Sequence, residues 1–324
     1  MKRIAVLTSG GDAPGMNAAI RAAVRKAIHG GCEVFGVEYG YTGLLKGQMK
    51  IMRYEDVGNI MQRGGTILKT ARSTQFPTPE GQDMAMRELT RREIEGVVII
   101  GGDGSFRGAQ LLAKRGIKVC GVPGTIDNDI FGTDYTIGFD TACNTVLDAI
   151  NKIRDTASSH KRIVIIEVMG RDSGWIALAA GLAGGAEFVI VPEIPHDLDF
   201  VSDKIIRGMN SGKEHSIVVV AEGAAHGFEV GERLRVSTGY DTRVTVLGHI
   251  QRGGSPSAFD RILATRLGAA AVDALLGGET NAMVGLVGNQ VAVTSLDVVV
   301  NQKRGLDVSL YELEAIMATR LVKT

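Results

Sequence analysis

The sequence contains few cysteines, few aromatic residues and no excess of charge of either sign. Its 324 residues include three cysteines, one tryptophan and seven prolines, and only 5% of them are aromatic. Cys32, Cys120 and Cys143 form neither a CxxC pair nor the spacing of a zinc site. This scarcity argues against a disulfide-stabilised secreted protein and predicts a reduced, cytoplasmic one.

Charge and hydropathy exclude several further classes. The 36 basic and 36 acidic residues cancel, so no overall field favours nucleic acid or an anionic membrane as a partner. Lys2 and Arg3 lead directly into a short strand and a glycine loop, so neither a signal peptide nor a membrane span is expected. The chain shows no internal repeat and no obvious linker, and composition therefore marks no domain boundary.

Glycine is abundant, at 43 residues, without the period of collagen. In a globular chain this predicts many tight turns between strands and helices, where a backbone can approach a ligand closely. Short apolar runs alternate with helical patterns throughout, which predicts an α/β fold with parallel sheets covered on both faces. The expected strands are Ile4–Leu7, Val34–Val37, Gly96–Ile100, Lys118–Val122, Ile163–Val168, Phe188–Val191, Ser216–Ala221, Val244–Leu247, Met283–Val287 and Val291–Val293. The expected helices are Met16–Ile28, Glu80–Arg92, Phe106–Arg115, Asp140–Ala157, Ser257–Leu276 and one near Ser309–Leu321, with Tyr39–Arg53 as loop.

Two glycine loops follow predicted strands and precede predicted helices. The first, Thr8–Gly15, presents free backbone N–H groups at a helix N-terminus, which favours an anion such as phosphate. It matches neither GxGxxG nor a Walker A loop. The second, Gly101–Ser105, would let a phosphate chain approach the backbone. Asp103 in it is suited to Mg²⁺, and Ser105 to capping the following helix.

A third loop, Pro123–Asp129, concentrates acidic residues directly after a buried strand. Asp127 and Asp129 are two residues apart, so in extended backbone both would face the same way. Two like charges held together require a metal, a basic partner or a shared proton. The alternative is an Asx-type turn that uses Asp and Asn for local hydrogen bonds. The acidic glycine loop upstream favours a functional site.

Basic residues form two further groups. Arg21 and Arg25 lie one turn apart on a predicted helix, as a solvated face or as a second phosphate site. Arg243, His249 and Arg252 surround a predicted strand beside a glycine turn, a grouping typical of a site for a phosphorylated sugar.

Together these motifs resemble those of bacterial ATP-dependent 6-phosphofructokinases, in family order and spacing from residue 4 to about residue 270. The matching stretches are Leu7–Asn17, Ile100–Ser105, Pro123–Asp129, Val168–Arg171 and Gly248–Pro256. The resemblance implies two similar three-layer α/β domains with mainly parallel sheets, in a homotetramer whose sites are shared between subunits. It assigns residues 1–138 and 251–301 to an ATP-binding domain, and residues 139–250 and 302–324 to a sugar-phosphate-binding domain.

The resemblance also implies an activity: Mg²⁺-assisted transfer of a phosphoryl group from ATP to the 1-hydroxyl of fructose 6-phosphate. Asp127 would be the base and Thr125 would orient the phosphoryl group. Asp103 would hold the metal, with help from Asp129 through water, and Arg171 would stabilise charge. The implied ATP-binding residues are Gly11, Arg72, Ser73, Gly102, Asp103, Gly104 and Ser105. The implied substrate-binding residues are Thr125, Ile126, Asp127, Arg162, Met169, Gly170, Arg171, Glu222, Arg243, His249, Ile250, Gln251 and Arg252, with Arg162 and Arg243 reaching in from a neighbouring subunit.

A regulatory site is implied as well, with ADP and phosphoenolpyruvate as possible effectors. Its residues are Arg21, Ala22, Ala23, Val24, Arg25, Arg154, Gly185, Ala186, Glu187, Ser211, Lys213, Glu214 and His215. The family usually carries an arginine at the position of Ser211. This departure removes a cation from the pocket and weakens the expectation of strong nucleotide regulation.

Two other functions remain open at this point. Pyrophosphate-dependent relatives typically carry Asp at the position of Gly104 and Lys at that of Gly124. A carboxylate at the first position would crowd and repel the α-phosphate of ATP, so the two glycines favour ATP. A non-catalytic regulator would need neither Asp103 nor Asp127, because binding alone requires no base. A lipid or NAD kinase would explain only the Gly101–Ser105 loop.

Overall fold

The computed structural model describes residues 1–159 and 161–318, which form two compact units. Among the described residues, the first unit comprises 1–141 and 252–304, and the second comprises those of 142–251 together with 305–318. These divisions fall within three residues of the domain boundaries expected from the sequence, and the ligand of each unit stays a prediction. The end of the predicted last helix, residues 319–321, lies outside the described residues. Across the described ranges, no helix has the length and apolar character that a membrane span requires.

The elements alternate between strand and helix for most of the chain. In order they are β1 (Arg3–Thr8), α1 (Met16–His29), β2 (Glu33–Val37), α2 (Gly40–Leu45), β3 (Met49–Met52), α3 (Pro79–Arg91), β4 (Gly96–Gly101), α4 (Asp103–Ala113), β5 (Lys118–Pro123), α5 (Phe139–Ala157), β6 (Arg162–Val168), α6 (Trp175–Gly184), β7 (Phe188–Ile190), α7 (Leu198–Asn210), β8 (His215–Ala221), α8 (Gly227–Thr238), β9 (Asp241–Val246), α9 (Ala258–Leu276), β10 (Ala282–Val287), β11 (Gln290–Ser295), α10 (Leu296–Val299) and α11 (Val308–Ala318).

The first unit is built on a seven-stranded sheet in the order β11-β10-β5-β4-β1-β2-β3. Its central strands are parallel, and β3 and β11 pair antiparallel at the two edges. Residues Ile4–Leu7 of β1 and Val97–Ile100 of β4 are unbroken apolar runs, because both faces of these strands are buried. Thr8 pairs with Ile100 and Gly101 with Pro123, so β1, β4 and β5 end side by side. The three loops singled out in the sequence therefore leave the same edge of one sheet.

The second unit contains a four-stranded parallel sheet in the order β7-β8-β6-β9. Val168 at the end of β6 lies beside Ala221 at the end of β8. At the opposite edge, Arg162 at the start of β6 lies between His215 and Asp241. Two α/β units with mainly parallel sheets confirm the predicted fold class.

Several local predictions were wrong. Residues Tyr39–Arg53, expected to be loop, contain α2 and β3. The six residues of α2 include two glycines, and Tyr39 before it is left-handed at φ 58°, so no helical period marks it. Helix α4 begins at Asp103 rather than at Phe106. Its N-cap is Gly102, so Ser105 lies inside the helix instead of capping it.

A buried carboxylate fixes the segment where α5 begins. Asp260 on α9 accepts hydrogen bonds from the backbone N–H groups of Gly138 and Thr141, both at 2.8 Å, and from the Thr141 hydroxyl at 2.5 Å. Burial raises the pKa of Asp260 to about 6 in spite of these donors. A Cβ on Gly138 would lie 2.7 Å from Ala13 and 3.3 Å from Ile126. Asp260 thus holds in place a residue packed between the first and third loops.

Candidate active site

The three loops of the first unit are joined at their bases by backbone hydrogen bonds. Ser9 N donates to Ile100 O, and Gly124 N donates to Gly101 O, each at 3.0 Å. A Cβ on Gly101 would lie 2.5 Å from Ser9 O, so only glycine allows this approach. The structure therefore brings the three predicted loops together at the carboxyl edge of the sheet, where α/β folds bind ligands.

The second loop presents an open helix N-terminus. No side chain caps α4, so its first N–H groups are free to bind an anion. A Cβ on Gly104 would meet nothing within 4 Å, which leaves room for a ligand there. The Ser105 hydroxyl is buried and has no hydrogen-bond partner among the described residues. Asp103 is half-exposed and pairs with Arg107 one turn along the helix, at 3.1 Å.

Arg252 lies against the first loop, although the sequence grouped it with other residues. Nη1 of Arg252 donates to the carbonyl of Asp12 at 3.1 Å. A Cβ on Gly11 would lie 2.5 Å from the same nitrogen, so the guanidinium lies against the glycine. The sequence grouped Arg252 with Arg243 and His249. In the structure its charge lies beside the first loop instead.

The third loop is a turn rather than an extended segment. Asn128 is buried and left-handed at φ 53°, so the argument that extended backbone aligns Asp127 and Asp129 was wrong. The Asn128 side chain accepts from Thr136 N at 2.9 Å, which holds the turn to the chain beyond it. The Thr125 hydroxyl donates to Asp127 Oδ2 at 3.3 Å. Thr125 and Asp127 therefore act as one hydrogen-bonded pair at the end of β5.

The ionised form of the Asp129 carboxylate is disfavoured in this loop. Burial raises its pKa to about 6, and the charge of Asp127 adds to the rise. Asp103 contributes in the same direction, and Lys303 partly opposes it. Three carboxylates within electrostatic reach of one another favour a cation between them.

The described residues contain no cluster of three or more His, Cys, Asp or Glu side chains arranged to hold a metal by themselves. A metal bound here would need further ligands, such as waters or the phosphates of a substrate. Mg²⁺ keeps several waters and is usually bound by one or two carboxylates together with substrate phosphates.

Three other predicted ligand-binding residues of the first unit have surroundings that the sequence did not predict. Arg72 is exposed, and its carbonyl accepts from the Thr42 hydroxyl at 3.4 Å. The Ser73 hydroxyl accepts from Phe76 N at 3.1 Å. The Ile126 side chain is fully buried, so only its backbone is available to a substrate.

The second unit assembles its own group of predicted residues at the carboxyl edge of its sheet. Glu222 N donates to Val168 O at 2.9 Å, and Gly223 N donates to Gly170 O at 3.1 Å. A Cβ on Gly223 would lie 1.7 Å from the Arg171 carbonyl, so the two loops are in backbone contact. Met169 is buried, Glu222 is half-buried and Arg171 is exposed.

Gln251 supports these loops instead of facing solvent. Its side chain is fully buried, accepts from Met169 N at 3.3 Å and donates to Gly248 O at 3.1 Å. A direct side-chain contact between Gln251 and a substrate is therefore not supported. His249 and Ile250 are exposed on the same short 3₁₀ turn.

Arg162 and Arg243 lie toward the other end of this sheet. Both guanidinium groups contact Asp241 Oδ2, at 2.9 Å and 3.1 Å. Arg162 begins β6 and Val168 ends it, so six strand residues, about 20 Å, separate Arg162 from Met169. Within one chain, Arg162 cannot share a small ligand with Met169, Glu222 and His249.

A separate cavity of about 500 Å³ lies in the second unit. Its lining residues are Arg154, Leu182, Gly185, Ala186, Glu187, Gly212, Lys213, Glu214, His215, Glu314, Met317 and Ala318. Seven of them were predicted effector residues. Arg154 donates to the carbonyls of Gly184 and Gly185, at 2.5 Å and 2.7 Å. Lys213 pairs with Glu187 at 3.3 Å. Glu314, Met317 and Ala318 belong to α11, whose predicted pattern gave no sign of a ligand site.

The remaining predicted effector residues are Ser211 of the second unit and Arg21–Arg25 of α1 in the first unit. The side chains of Ala22, Ala23 and Val24 are buried in the core and cannot contact a ligand. Arg25 lies over the ring of Tyr54, 3.9 Å from its centroid, and donates to its hydroxyl at 3.2 Å. Arg21 and Arg25 are thus the polar groups of this stretch. The Ser211 hydroxyl donates to Gly208 O at 2.8 Å.

Comparisons with known proteins agree with this arrangement. The family model described as Phosphofructokinase matches residues 3–275. The chain is 57% identical to the ATP-dependent 6-phosphofructokinase of Halalkalibacterium halodurans, over 97% of this chain and 98% of that protein. A phosphofructokinase structure from Saccharomyces cerevisiae is 37% identical with a TM-score of 0.87, covering 98% of this chain and 48% of that one. The chain thus spans about half of the yeast polypeptide. A pyrophosphate-dependent phosphofructokinase from Marinobacter aquaeolei is 25% identical with a TM-score of 0.83, covering 95% of this chain and 86% of that one.

Proposed function

The chain belongs to the phosphofructokinase family, and on that premise we infer that it transfers the γ-phosphoryl group of ATP to fructose 6-phosphate. The products are fructose 1,6-bisphosphate and ADP, and the reaction is the committed step of glycolysis. The observation that carries this inference is the open, uncapped N-terminus of α4 at Gly104, beside the Thr125–Asp127 pair. The scarce, dispersed cysteines support a cytoplasmic enzyme.

The first unit supplies the nucleotide-binding groups. The N–H groups at Asp103 and Gly104 in the first turn of α4 bind phosphate oxygens, whereas the N–H of Ser105 already donates to Gly102 O. Gly11 lets the phosphate chain approach the first loop, and Arg72 adds a positive charge. Asp103, with help from Asp129 through water, holds Mg²⁺, which when bound neutralises phosphate charge.

The chemistry follows from the third loop. Phosphoryl transfer depends on charge neutralisation and on an acceptor aligned with the departing group. Asp127 takes the proton of the 1-hydroxyl of the sugar. The oxygen of that hydroxyl attacks the γ-phosphorus, and ADP departs. Thr125, hydrogen-bonded to Asp127, orients the phosphoryl group. Arg171 stabilises the charge that develops during transfer.

The sugar phosphate binds through residues of the second unit together with Arg252. Glu222 accepts hydrogen bonds from sugar hydroxyls, and Met169 and Gly170 form the wall against which the sugar packs. His249 and Ile250 bind near the 6-phosphate, and Arg252, which lies against the first loop, stays a predicted contact of the same phosphate. Gln251 acts through its backbone and by holding Met169 in place.

Arg162 and Arg243 complete the 6-phosphate site of a neighbouring subunit. The separation of about 20 Å along β6 between Arg162 and Met169 supports this assignment for Arg162, because one chain cannot bring that guanidinium group to its own sugar. Arg243 is included because it contacts the same carboxylate, Asp241. Asp241 holds both guanidinium groups and leaves them with an excess positive charge for a phosphate. The proposal therefore includes a homotetramer in which each sugar site is shared between two subunits.

We expect mixed tetramers of two impaired variants, Arg162→Ser and Asp127→Ser, to be more active than either variant alone. Arg162→Ser removes a charged contact worth about 1.5–3 kcal/mol and raises KM for fructose 6-phosphate roughly 10–100-fold. Asp127→Ser abolishes the base of the same reaction. Refolding the two variants together yields tetramers in which some sites have both Asp127 and the neighbour's Arg162. Activity above the sum of the separate variants at low sugar concentration is the expected result, and its absence would contradict shared sites.

The cavity lined by Arg154, Lys213 and His215 is the proposed regulatory site, and Arg21 and Arg25 of α1 stay predicted effector residues of the first unit. ADP and phosphoenolpyruvate both carry phosphate groups that these cations bind. Ser211 adds no charge, so the affinity of this site depends on the remaining basic residues.

Identification of the product tests the activity itself. Purified protein is incubated with fructose 6-phosphate, Mg²⁺ and ATP, and the reaction is followed by ³¹P nuclear magnetic resonance. We expect the γ-phosphate signal to disappear while ADP and a second sugar phosphomonoester appear. Release of inorganic phosphate without a new ester would contradict the proposal. Folded protein that binds both substrates without turnover would favour a non-catalytic regulator.

A further inference from the structure

Glu314 is a buried carboxylate on the wall of the 500 Å³ cavity. It lies on α11, is only 4% exposed, and its Oε1 has no hydrogen-bond partner among the described residues. It also lines a second cavity of about 400 Å³, which shares Glu187, Lys213 and Ala318 with the first. An unpartnered carboxyl oxygen this deeply buried is costly unless it is protonated or meets a ligand.

The neighbours of Glu314 do not neutralise it. Glu187, which faces it, has its Oε2 occupied by Ile217 N and its Oε1 by Lys213. Burial raises the pKa of Glu314 to about 7, and the charge of Glu187 adds to the rise. Near neutral pH, Glu314 therefore exchanges a proton with solvent, whereas an ordinary glutamate would be fully ionised.

The charges around the two cavities make the binding of an anion depend on whether Glu314 is protonated. The described ionisable groups that line them are Arg154, Glu187, Lys204, Arg207, Lys213, Glu214, His215, Tyr311 and Glu314. The 500 Å³ cavity itself has two permanent cations, Arg154 and Lys213, against three carboxylates. A phosphate group entering it meets repulsion from ionised Glu314, but a hydrogen-bond donor once Glu314 is protonated. His215 Nδ1 is also buried without a partner among the described residues and offers a second polar contact.

We propose that a phosphate-bearing ligand enters this cavity together with uptake of one proton by Glu314. The inference rests on the proposed function only for the identity of that ligand, ADP or phosphoenolpyruvate. Because the protonated form of Glu314 binds the anion, affinity falls as pH rises through about 7. Ser211 contributes no cation to offset the carboxylate, so the effect of Glu314 is not masked.

Calorimetric titration of the whole enzyme with phosphoenolpyruvate tests the proposal. This probe avoids ADP, which also binds the active site as a product. We expect the wild-type Kd to be about tenfold higher at pH 8 than at pH 6, the ratio of protonated Glu314 at these values. Glu314→Gln, which resembles the protonated acid, should bind with the same affinity at both values apart from the ionisation of the phosphate itself.

Two controls separate Glu314 from other titrating groups. Glu312→Gln alters an exposed glutamate on the same helix and should keep the wild-type pH dependence. Titration of the ligand phosphate is common to all three proteins, so the difference between variants isolates Glu314. Titrations at pH 7.5 in two buffers of different ionisation enthalpy should show net proton uptake by the wild type and less by Glu314→Gln.

Three results would overturn the proposal. These are equal pH dependence in Glu314→Gln and wild type, no proton uptake by the wild type, and no binding of phosphoenolpyruvate at either pH. The buffer comparison needs no variant, so it remains decisive if Glu314→Gln does not fold. Turnover of fructose 6-phosphate in the same preparations without phosphoenolpyruvate tests the proposed function separately.

Discussion

Replacing Asp127 by serine is expected to lower kcat by about 10²–10⁴-fold while leaving the affinity for fructose 6-phosphate nearly unchanged. The carboxylate accepts a proton only during transfer, whereas the 6-phosphate contacts that determine sugar affinity lie elsewhere. Steady-state kinetics with saturating ATP measures the first quantity, and calorimetric titration with the sugar measures the second. The two measurements together separate a lost base from a lost binding contact.

Two further variants sharpen this test. Asp127→Asn keeps the shape of the side chain and loses the basic oxygen, so it should be as impaired as the serine variant. Asp148→Ser removes an exposed carboxylate of α5 that pairs with Lys152 on the surface, and it should retain full activity. Near-normal turnover in a folded Asp127→Asn variant would remove Asp127 from the role of base.

Gly104→Asp is expected to reduce kcat/KM for ATP about 100-fold without loss of stability. Gly104 lies in the first turn of α4, where a Cβ meets nothing, so the side chain fits the folded protein. A carboxylate in the first turn is favourable to the helix and replaces a flexible glycine, so Tm should stay the same or rise slightly. Its charge, about 6 Å from a phosphate at an effective dielectric constant near 20, costs about 3 kcal/mol of binding.

Gly104→Asn separates charge from bulk, because it fills the same space without a negative charge. We expect it to lose much less ATP affinity than the aspartate variant, in kinetics at fixed fructose 6-phosphate. Equal losses in the two variants would show that crowding alone decides the donor, and full ATP affinity in Gly104→Asp would contradict the electrostatic argument. The single change should not create use of pyrophosphate. Gly124 is buried, and a Cβ on it would lie 3.1 Å from Ile100 and 3.3 Å from Met16, so lysine there requires repacking.

The sequence predicted the part of the site that depends on strand order. A loop that follows a buried parallel strand lies at the carboxyl edge of the sheet, so the loops at Gly11, Asp103 and Asp127 could be grouped from their positions in the chain. It could not predict their internal conformation. The left-handed Asn128 is fixed by its bond to Thr136, eight residues away, which no local pattern reveals.

The sequence also could not predict which side chains of a motif point toward a ligand. Ile126 and Gln251 lie within motifs that resemble ligand contacts, yet both are fully buried. Whether a residue in a motif touches the ligand or supports the residue that does depends on packing. The unpartnered oxygen of Glu314 was invisible for the same reason, because its burial arises from elements far apart in the chain.

A coupled turnover assay with fructose 6-phosphate and Mg²⁺, offering ATP and pyrophosphate in parallel to the purified enzyme, tests the central claim most directly. The proposal predicts turnover with ATP and none above background with pyrophosphate. Turnover with pyrophosphate alone would contradict the donor assignment based on Gly104 and Gly124 while leaving the fold intact. Turnover with neither, in folded protein that binds the sugar phosphate, would contradict the assignment of this chain as an enzyme.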